Sequence, residues 1–398
     1  SGALPALAKA GWKGAIHVTD ATADLTALML RDSASIQEKD AEYLRRHGDE
    51  VAPLYTLDDA EAAIRLFRPH RYGEEFEAIP GTTVRFSDAG HILGSAVVHA
   101  TVREKAGTTR VVFTGDLGRK GMPLLRDPAE PGPAEVVLTE STYGDRDHEP
   151  PEDTERRLGE VVERTVRRGG KVIVPAFAVG RTQALVYFLH RLRAAGRLPE
   201  VPIYVDSPMA VEATKVFAEH RALFDAEAHE FLDGTGRIFS SSRTAYLSDA
   251  ADSRRLNELE GPAVILSASG MCEAGRILHH LRHNLGDPKN TILFVGFQAE
   301  HTLGRRILEG RPEVKVFGEM HPVRAEVAHL NGLSAHADRG GIADYLGRIG
   351  SKKRVFLVHG DDERCEALKA WLGARGVHGV EVPAPRQRVD LETLAVPS

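Results

Sequence analysis

Residues 150–310 alternate between apolar, strand-like runs and helical segments, and this alternation constrains the fold more than any other feature of the sequence. A strand that is buried on both faces is apolar along its whole length, and a helix that connects two such strands makes them parallel. The alternation therefore predicts a parallel sheet with helices on both of its faces. The apolar runs are KVIVPAF, VPIYVDS, PAVILSAS and TILFVGF.

The loops that follow these runs are rich in glycine, serine and arginine, and they lie at the carboxyl ends of the strands, where open parallel sheets bind ligands. Chain reversal alone explains the glycines of any one loop. Four such loops, three of them with an arginine, favour an edge that faces an anion, although no GxGxxG fingerprint supports a dinucleotide. The loops are AVGRT, SPMA, SGMCEAGR and QAEHTLGR.

The segments on either side, residues 1–143 and 315 onward, have a different pattern. TTVRFSDAG and SAVVHATV alternate apolar with polar residues, as half-buried antiparallel strands do. We expect one discontinuous domain with the parallel-sheet domain inserted into it. The predicted bounds are 1–148, 149–312 and 313–398.

Composition excludes some classes of protein. The net charge of −6 argues against a general polyanion binder, which is usually basic. No apolar run approaches the ~20 residues of a membrane-spanning helix. The two cysteines form no CxxC pair, which favours a reducing compartment and hence the cytoplasm.

Histidine and acidic residues stand at strand ends beside glycines, an arrangement that suits metal ligation because the strand fixes the donor atom. Taken alone, each histidine could simply be a hydrogen-bonded loop residue. Asp116 could be a turn or helix-cap residue, and Glu140 a solvated residue at a strand end. Together they predict a site. The five are His91 in DAGHILGSA, Asp116 in FTGDLG, Glu140 in LTESTYGDR, His336 in GLSAHAD and His359 in FLVHGDD.

These stretches, in this order along nearly the whole chain, resemble the β-CASP branch of the metallo-β-lactamase superfamily. The similarity is greatest to bacterial and archaeal ribonucleases related to the mRNA 3′-end cleavage factor. The resemblance implies an α/β fold: a four-layer αβ/βα metallo-β-lactamase sandwich with an inserted β-CASP domain. The other stretches that carry it are DSPMA, SASGMCEAGRILHHL and VGFQAEHTLGRR.

The resemblance also implies roles for residues. His91 and His359 each ligate one of two zinc ions, and Asp116 bridges both ions. Glu140 pairs with His336, which protonates the leaving oxygen. The implied activity is hydrolysis of single-stranded RNA, with an endonuclease favoured over an exonuclease. A homodimer is the assembly considered for this chain. Four further residues are candidates for binding flanking phosphates: Arg181, Ser207, Ser269 and Arg276.

One family signature, the zinc-binding HxHxDH, does not occur in the 398 residues. In the family it is followed by a segment like SGALPALAKAGWKGAI, which stands at residues 1–16 here. We therefore expect the first part of the metallo-β-lactamase domain to be missing, and this chain alone to bind zinc weakly and cleave poorly. A fragment, a misannotated start and a true truncation stay open as explanations.

Three functions remain to be distinguished. A zinc-dependent ribonuclease needs Glu140, His336 and His359, which a binding module does not. A non-catalytic RNA-binding or scaffolding relative would account for the missing ligands. A small-molecule hydrolase is disfavoured, because an inserted domain with a phosphate-binding edge suits a polymer better.

Overall fold

The computed structural model describes residues 1–49, 51–105 and 107–391. Strands and helices follow one another through all three ranges. The strands are β1 (Ile16–Thr19), β2 (Phe67–His70), β3 (Glu75–Ile79), β4 (Thr82–Asp88), β5 (Ala96–Glu104), β6 (Gly107–Phe113), β7 (Val136–Glu140), β8 (Val172–Pro175), β9 (Ile203–Asp206), β10 (Thr244–Leu247), β11 (Val264–Ser267), β12 (Thr291–Phe294), β13 (Glu313–Val316), β14 (Glu319–Pro322), β15 (Glu326–His329), β16 (Arg354–Val358) and β17 (Val380–Glu381).

Helices connect most of these strands. The α-helices are α1 (Leu4–Lys9), α2 (Asp20–Arg46), α3 (Leu57–Ile64), α4 (Pro151–Arg167), α5 (Arg181–Ala194), α6 (Pro208–Glu219), α7 (Ala226–Thr235), α8 (Ala250–Asn257), α9 (Ile277–Asn284), α10 (Leu303–Leu308), α11 (Arg339–Arg348) and α12 (Asp362–Gly373). Short 3₁₀ turns cover Arg221–Leu223 and Asn331–Leu333. No helix of the described residues is both long and apolar enough to cross a bilayer.

The chain divides into two compact units. Unit 1 comprises residues 1–120, 126–147 and 335–398, and unit 2 comprises residues 121–125 and 148–334. Unit 2 is therefore inserted within the sequence of unit 1, as an interrupted domain requires. The bounds of the family domains stay predictions, since compact units and family domains need not end at the same residue.

Unit 1 is built on a seven-stranded sheet in the order β17-β16-β7-β6-β5-β4-β3. Strands β3 to β6 pair antiparallel, so the two alternating segments do form antiparallel neighbours, with Asp88 opposite Ala96. Strands β6, β7, β16 and β17 pair parallel. Fully buried residues such as Val137, Leu357 and Leu368 form the core of this unit.

Unit 2 is built on a six-stranded sheet in the order β10-β9-β11-β8-β12-β15, and every pair in it is parallel. Strands β8, β11 and β12 are buried along their whole length. Ile173, Ile265 and Phe294 are fully buried in its core. The prediction of a parallel sheet from continuous apolar runs is thus confirmed, and the chain is of the α/β class.

The end of unit 2 differs from the sequence interpretation, which returned the chain to the flanking domain near residue 315. Strands β13 and β14 form an antiparallel hairpin in unit 2, and β15 pairs in parallel with β12. The reason is that β15 is an edge strand, only half-buried along its length. It therefore lacks the continuous apolar run by which β8, β9, β11 and β12 were recognised.

Candidate active site

The carboxyl ends of three strands in unit 1 carry polar side chains. Asp116 follows β6, Glu140 is the last residue of β7, and His359 follows β16. Because β6, β7 and β16 are adjacent parallel strands, their carboxyl ends meet at one edge of the sheet. His91 lies in the turn between β4 and β5, and His336 precedes α11.

Asp116 stands between two histidines. Its Oδ2 lies 3.8 Å from Nε2 of His91, and its Oδ1 lies 3.2 Å from Nδ1 of His359. One donor atom from each of His91, Asp116 and His336 also lies within 4.8 Å of the others. Imidazole nitrogens and a carboxylate are the donors that zinc prefers, and a carboxylate facing a histidine on either side can serve two ions. These residues fit a metal centre.

The environment of His91 favours the form that binds metal. Burial, the largest cause, and the nearby His336 together lower the pKa of His91 to about 4, against the opposing effect of Asp116 and Glu140. The imidazole is therefore neutral at pH 7, and a neutral imidazole is the ligand that a metal ion requires.

His336 is held by a buried carboxylate. Its Nδ1 lies 2.9 Å and 3.0 Å from the two oxygens of Glu140, and the ring nitrogen donates because an ionised carboxylate only accepts. Glu140 is itself fixed by the backbone N–H of Leu117, which donates to Oε1 at 2.6 Å. The contact with Glu140 uses Nδ1 of His336 and does not involve Nε2. Geometry alone allows it to bind a metal or to transfer a proton.

Backbone hydrogen bonds tie the loops of this site together. The N–H of Gly118 donates to Ala89 at 2.7 Å, and the N–H of Ala337 donates to Leu117 at 2.7 Å. A Cβ at Gly118 would overlap the carbonyl group of Gly90. Only glycine permits this approach of the His91 loop to the Asp116 loop. Sequence reasoning missed this role, although the glycine two residues after Asp116 was its signal.

His359 is positioned by the residues that follow β7. Ser141 donates through Oγ to the carbonyl of Val358 at 2.8 Å, and Thr142 donates to the carbonyl of His359 at 3.2 Å. His359 has a φ of 57°, in the left-handed region. These two hydroxyls were also missed from the sequence, where they were only neighbours of Glu140 in LTESTYGDR.

The four candidate phosphate-binding residues belong to unit 2. The Ser207 hydroxyl caps α6 by accepting from Ala210, and the Ser269 hydroxyl accepts from the N–H of Glu273 at 3.1 Å. Arg181 is the first residue of α5. Local structure thus accounts for both serines without a ligand, and phosphate binding by these residues stays a prediction.

Arg276 belongs to a buried network around Asp206. The Asp206 carboxylate accepts hydrogen bonds from Arg276 at 2.7 Å, His280 at 2.7 Å and Ser253 at 2.6 Å. Arg276 also donates to the carbonyl of Ser248. Burial raises the pKa of Asp206, but the hydrogen bonds from His280, Ser253 and Arg276 outweigh burial and leave that pKa below its usual value. Arg276 therefore has a structural role in unit 2, because it links Asp206 at the end of β9 to the end of β10.

Replacing Asp206 by alanine should destabilise unit 2 strongly. The change leaves His280, which is fully buried, and Arg276 without their common acceptor. Removing one partner of a buried ionic network costs about 3–5 kcal/mol. Urea unfolding followed by circular dichroism measures the loss. The control is Asp252→Ala, which breaks an exposed pair with Arg255 and should cost less than about 1 kcal/mol. Equal losses for the two variants would show that the network contributes nothing.

Comparisons with known proteins decide the family. The model of the Beta-Casp domain matches residues 182–307. The model described as the Zn-dependent metallo-hydrolase RNA specificity domain matches residues 320–384. Ribonuclease TTHA0252 of Thermus thermophilus is 38% identical over 376 residues, which cover 94% of this chain and 82% of that protein. The chain belongs to the β-CASP family of metallo-β-lactamase-fold nucleases.

Archaeal relatives of this β-CASP chain are longer. Transcription termination factor FttA of Methanosarcina mazei is 33% identical over 383 residues, which cover 92% of this chain but 57% of that protein. The FttA of Methanothermobacter thermautotrophicus is 33% identical over 412 residues, covering 100% of this chain and 61% of that protein. The chain thus spans somewhat more than half the length of these factors. The resemblance inferred from the motifs is confirmed at the level of the family.

Proposed function

We propose that this chain carries part of the active site of a zinc-dependent ribonuclease that hydrolyses phosphodiester bonds in single-stranded RNA. The observation that carries the proposal is the His336 imidazole, held by buried Glu140 beside His91 and Asp116. A general acid held next to a set of metal ligands is what phosphodiester hydrolysis needs. The names of the relatives, a ribonuclease and transcription termination factors, agree with action on RNA.

The metal ligands in the proposal are His91 for one ion, His359 for the other, and Asp116 for both. Bound at these residues, zinc would supply an activated water and would neutralise charge on the scissile phosphate. A catalytic zinc usually has about three protein ligands, more than these residues provide for each of two ions. In the β-CASP family an HxHxDH motif supplies further zinc ligands, so the proposal is tested on the full-length product of the gene.

The acid in the proposal is His336. Glu140 accepts from Nδ1, which fixes the ring and provides a counter-ion for an imidazolium. Nε2 then gives a proton to the leaving ribose oxygen as the phosphodiester bond breaks.

Cleavage within the strand and a homodimeric assembly remain part of the proposal. The two cysteines, Cys272 and Cys365, are buried and unpaired, which agrees with the reducing cytoplasm.

The substrate preference tests this function. We expect the full-length product, supplied with Zn²⁺ or Mn²⁺, to cleave an end-labelled single-stranded RNA and to leave a DNA of the same sequence largely intact. Bis-p-nitrophenyl phosphate should turn over far more slowly than RNA, because it lacks flanking phosphates. Gel electrophoresis and absorbance measure the rates. Hydrolysis of the small ester alone would identify a small-molecule hydrolase, and RNA binding without cleavage would identify a scaffold.

A further inference from the structure

Unit 2 contains an apolar cavity of about 450 Å³ that none of the assignments above uses. It lies among α6, the 3₁₀ turn at Arg221–Leu223, the end of α7 and the segment that leads to β10. Its volume falls in the range of about 300–1,000 Å³ that is typical of small-molecule sites. The apolar residues that line it are Val211, Ala218, Phe224, Leu232, Ile238 and Phe239.

The walls of the cavity are fixed by packing. Phe224 and Phe239 are 3% and 8% exposed, and their rings meet edge to face with centroids 6.0 Å apart. Two polar side chains of the lining, Tyr246 and Thr214, already donate to backbone carbonyls. Tyr246 donates to the carbonyl of Phe239 at 2.6 Å, and Thr214 donates to that of Ala210 at 2.7 Å. A ligand inside would find few hydrogen-bond partners, and its buried part must therefore be apolar.

The charged side chains that line the cavity are all basic. Lys215, Arg221 and Arg237 all contribute to the lining and are exposed, and no acidic side chain of the described residues lines it. Lys215 is paired with Glu212 at 2.7 Å. Within residues 1–49, 51–105 and 107–391, Arg221 and Arg237 form no ion pair. Two guanidinium groups therefore face the solvent beside an apolar cavity, an arrangement complementary to an anion.

We propose that this cavity binds a small organic acid, whose aromatic or aliphatic body fills the apolar interior and whose anionic group meets Arg221 and Arg237. A nucleotide fits less well, because the hydrogen-bonding edges of a base would lose water without gaining partners. The proposal is independent of the metal site and of the proposed nuclease function.

A pair of fluorescent probes tests the proposal on the full-length protein. 8-Anilinonaphthalene-1-sulfonate carries an aromatic body and an anionic group, and N-phenyl-1-naphthylamine has the same body without the charge. The sulfonate should bind more tightly. The double variant Arg221→Gln, Arg237→Gln should weaken its binding about 5-fold or more and leave the neutral probe unchanged. Ala218→Trp, at an exposed lining position, should fill the cavity and weaken both probes.

The matched control is Arg243→Gln, which removes an exposed arginine of unit 2 that does not line the cavity and pairs with Glu200. It should leave both affinities unchanged, and urea unfolding should show every variant folded. Equal affinity for the two probes, or an unchanged sulfonate affinity in the double arginine variant, would overturn the anionic preference. Undiminished binding of both probes to Ala218→Trp would overturn the location.

Discussion

Alanine at His336 is expected to lower kcat for RNA cleavage about 10²- to 10⁴-fold, the usual contribution of a positioned general acid. The bound metal content should stay close to that of the unchanged protein, because His91, Asp116 and His359 remain. Single-turnover cleavage gives the rate, and elemental analysis of the same sample gives the metal content. The second measurement is essential, since one donor atom of His336 lies within 4.8 Å of donors from His91 and Asp116.

A modified substrate separates the two roles of His336. An RNA in which sulfur replaces the leaving ribose oxygen needs little protonation of its leaving group, because a thiolate departs readily. The variant should therefore cleave this substrate nearly as fast as the unchanged protein does. Glu140→Gln should show a smaller loss on ordinary RNA and the same recovery. A fall in bound zinc in His336→Ala, with no recovery on the sulfur substrate, would make His336 a ligand instead.

Alanine at Gly118 is expected to disrupt the metal centre without touching any ligand. The added Cβ would overlap the carbonyl group of Gly90 and lie 2.7 Å from the carbonyl oxygen of Ala89. The His91 loop must then move away from the Asp116 loop. A displacement of about 1 Å at a reacting centre costs about 10²-fold in rate. Overpacking should also lower the free energy of unfolding by about 1–3 kcal/mol. Metal titration, cleavage rates and urea unfolding measure these three effects.

Gly347→Ala is the matched control for Gly118→Ala. Gly347 lies inside α11 in the same unit, and a Cβ there meets no atom within 4 Å. Alanine in a helix interior should raise stability by up to about 1 kcal/mol and leave metal affinity unchanged. If Gly118→Ala bound metal and cleaved RNA as well as Gly347→Ala does, the approach of the two loops would have no part in building the site.

Much of the fold was predictable, because its main physical signal is local. Strands β8, β11 and β12 are buried on both faces, so each appears in the sequence as an apolar run. The half-buried pair β4 and β5 alternates with period two. Strand β15 lacks both signals, because an edge strand is only partly covered. The position of β15 beside β12 depends on pairing between residues far apart in the sequence, and no local pattern predicts it.

The candidate site was predictable as a set of residue types and not as a geometry. Histidines and acids at glycine-flanked strand ends indicated the participants, and the family motifs assigned their roles. The 2.6 Å hydrogen bond from the Leu117 N–H to Glu140 depends on tertiary contacts between loops. At the end of β9, Asp206 is buried and serves as an acceptor for Arg276 and His280. Together, the glycine-, serine- and arginine-rich loops after β8, β9, β11 and β12 suggested only an edge that faces an anion.

The metal dependence of RNA cleavage is tested most directly by chelation and reconstitution of the full-length product. Cleavage of single-stranded RNA should stop when zinc is removed with a chelator. It should return on addition of Zn²⁺ or Mn²⁺ in proportion to the metal bound, up to about two ions per chain. Cleavage that continues at full rate in the metal-free protein, or a metal-replete protein that cuts no RNA, would contradict the account.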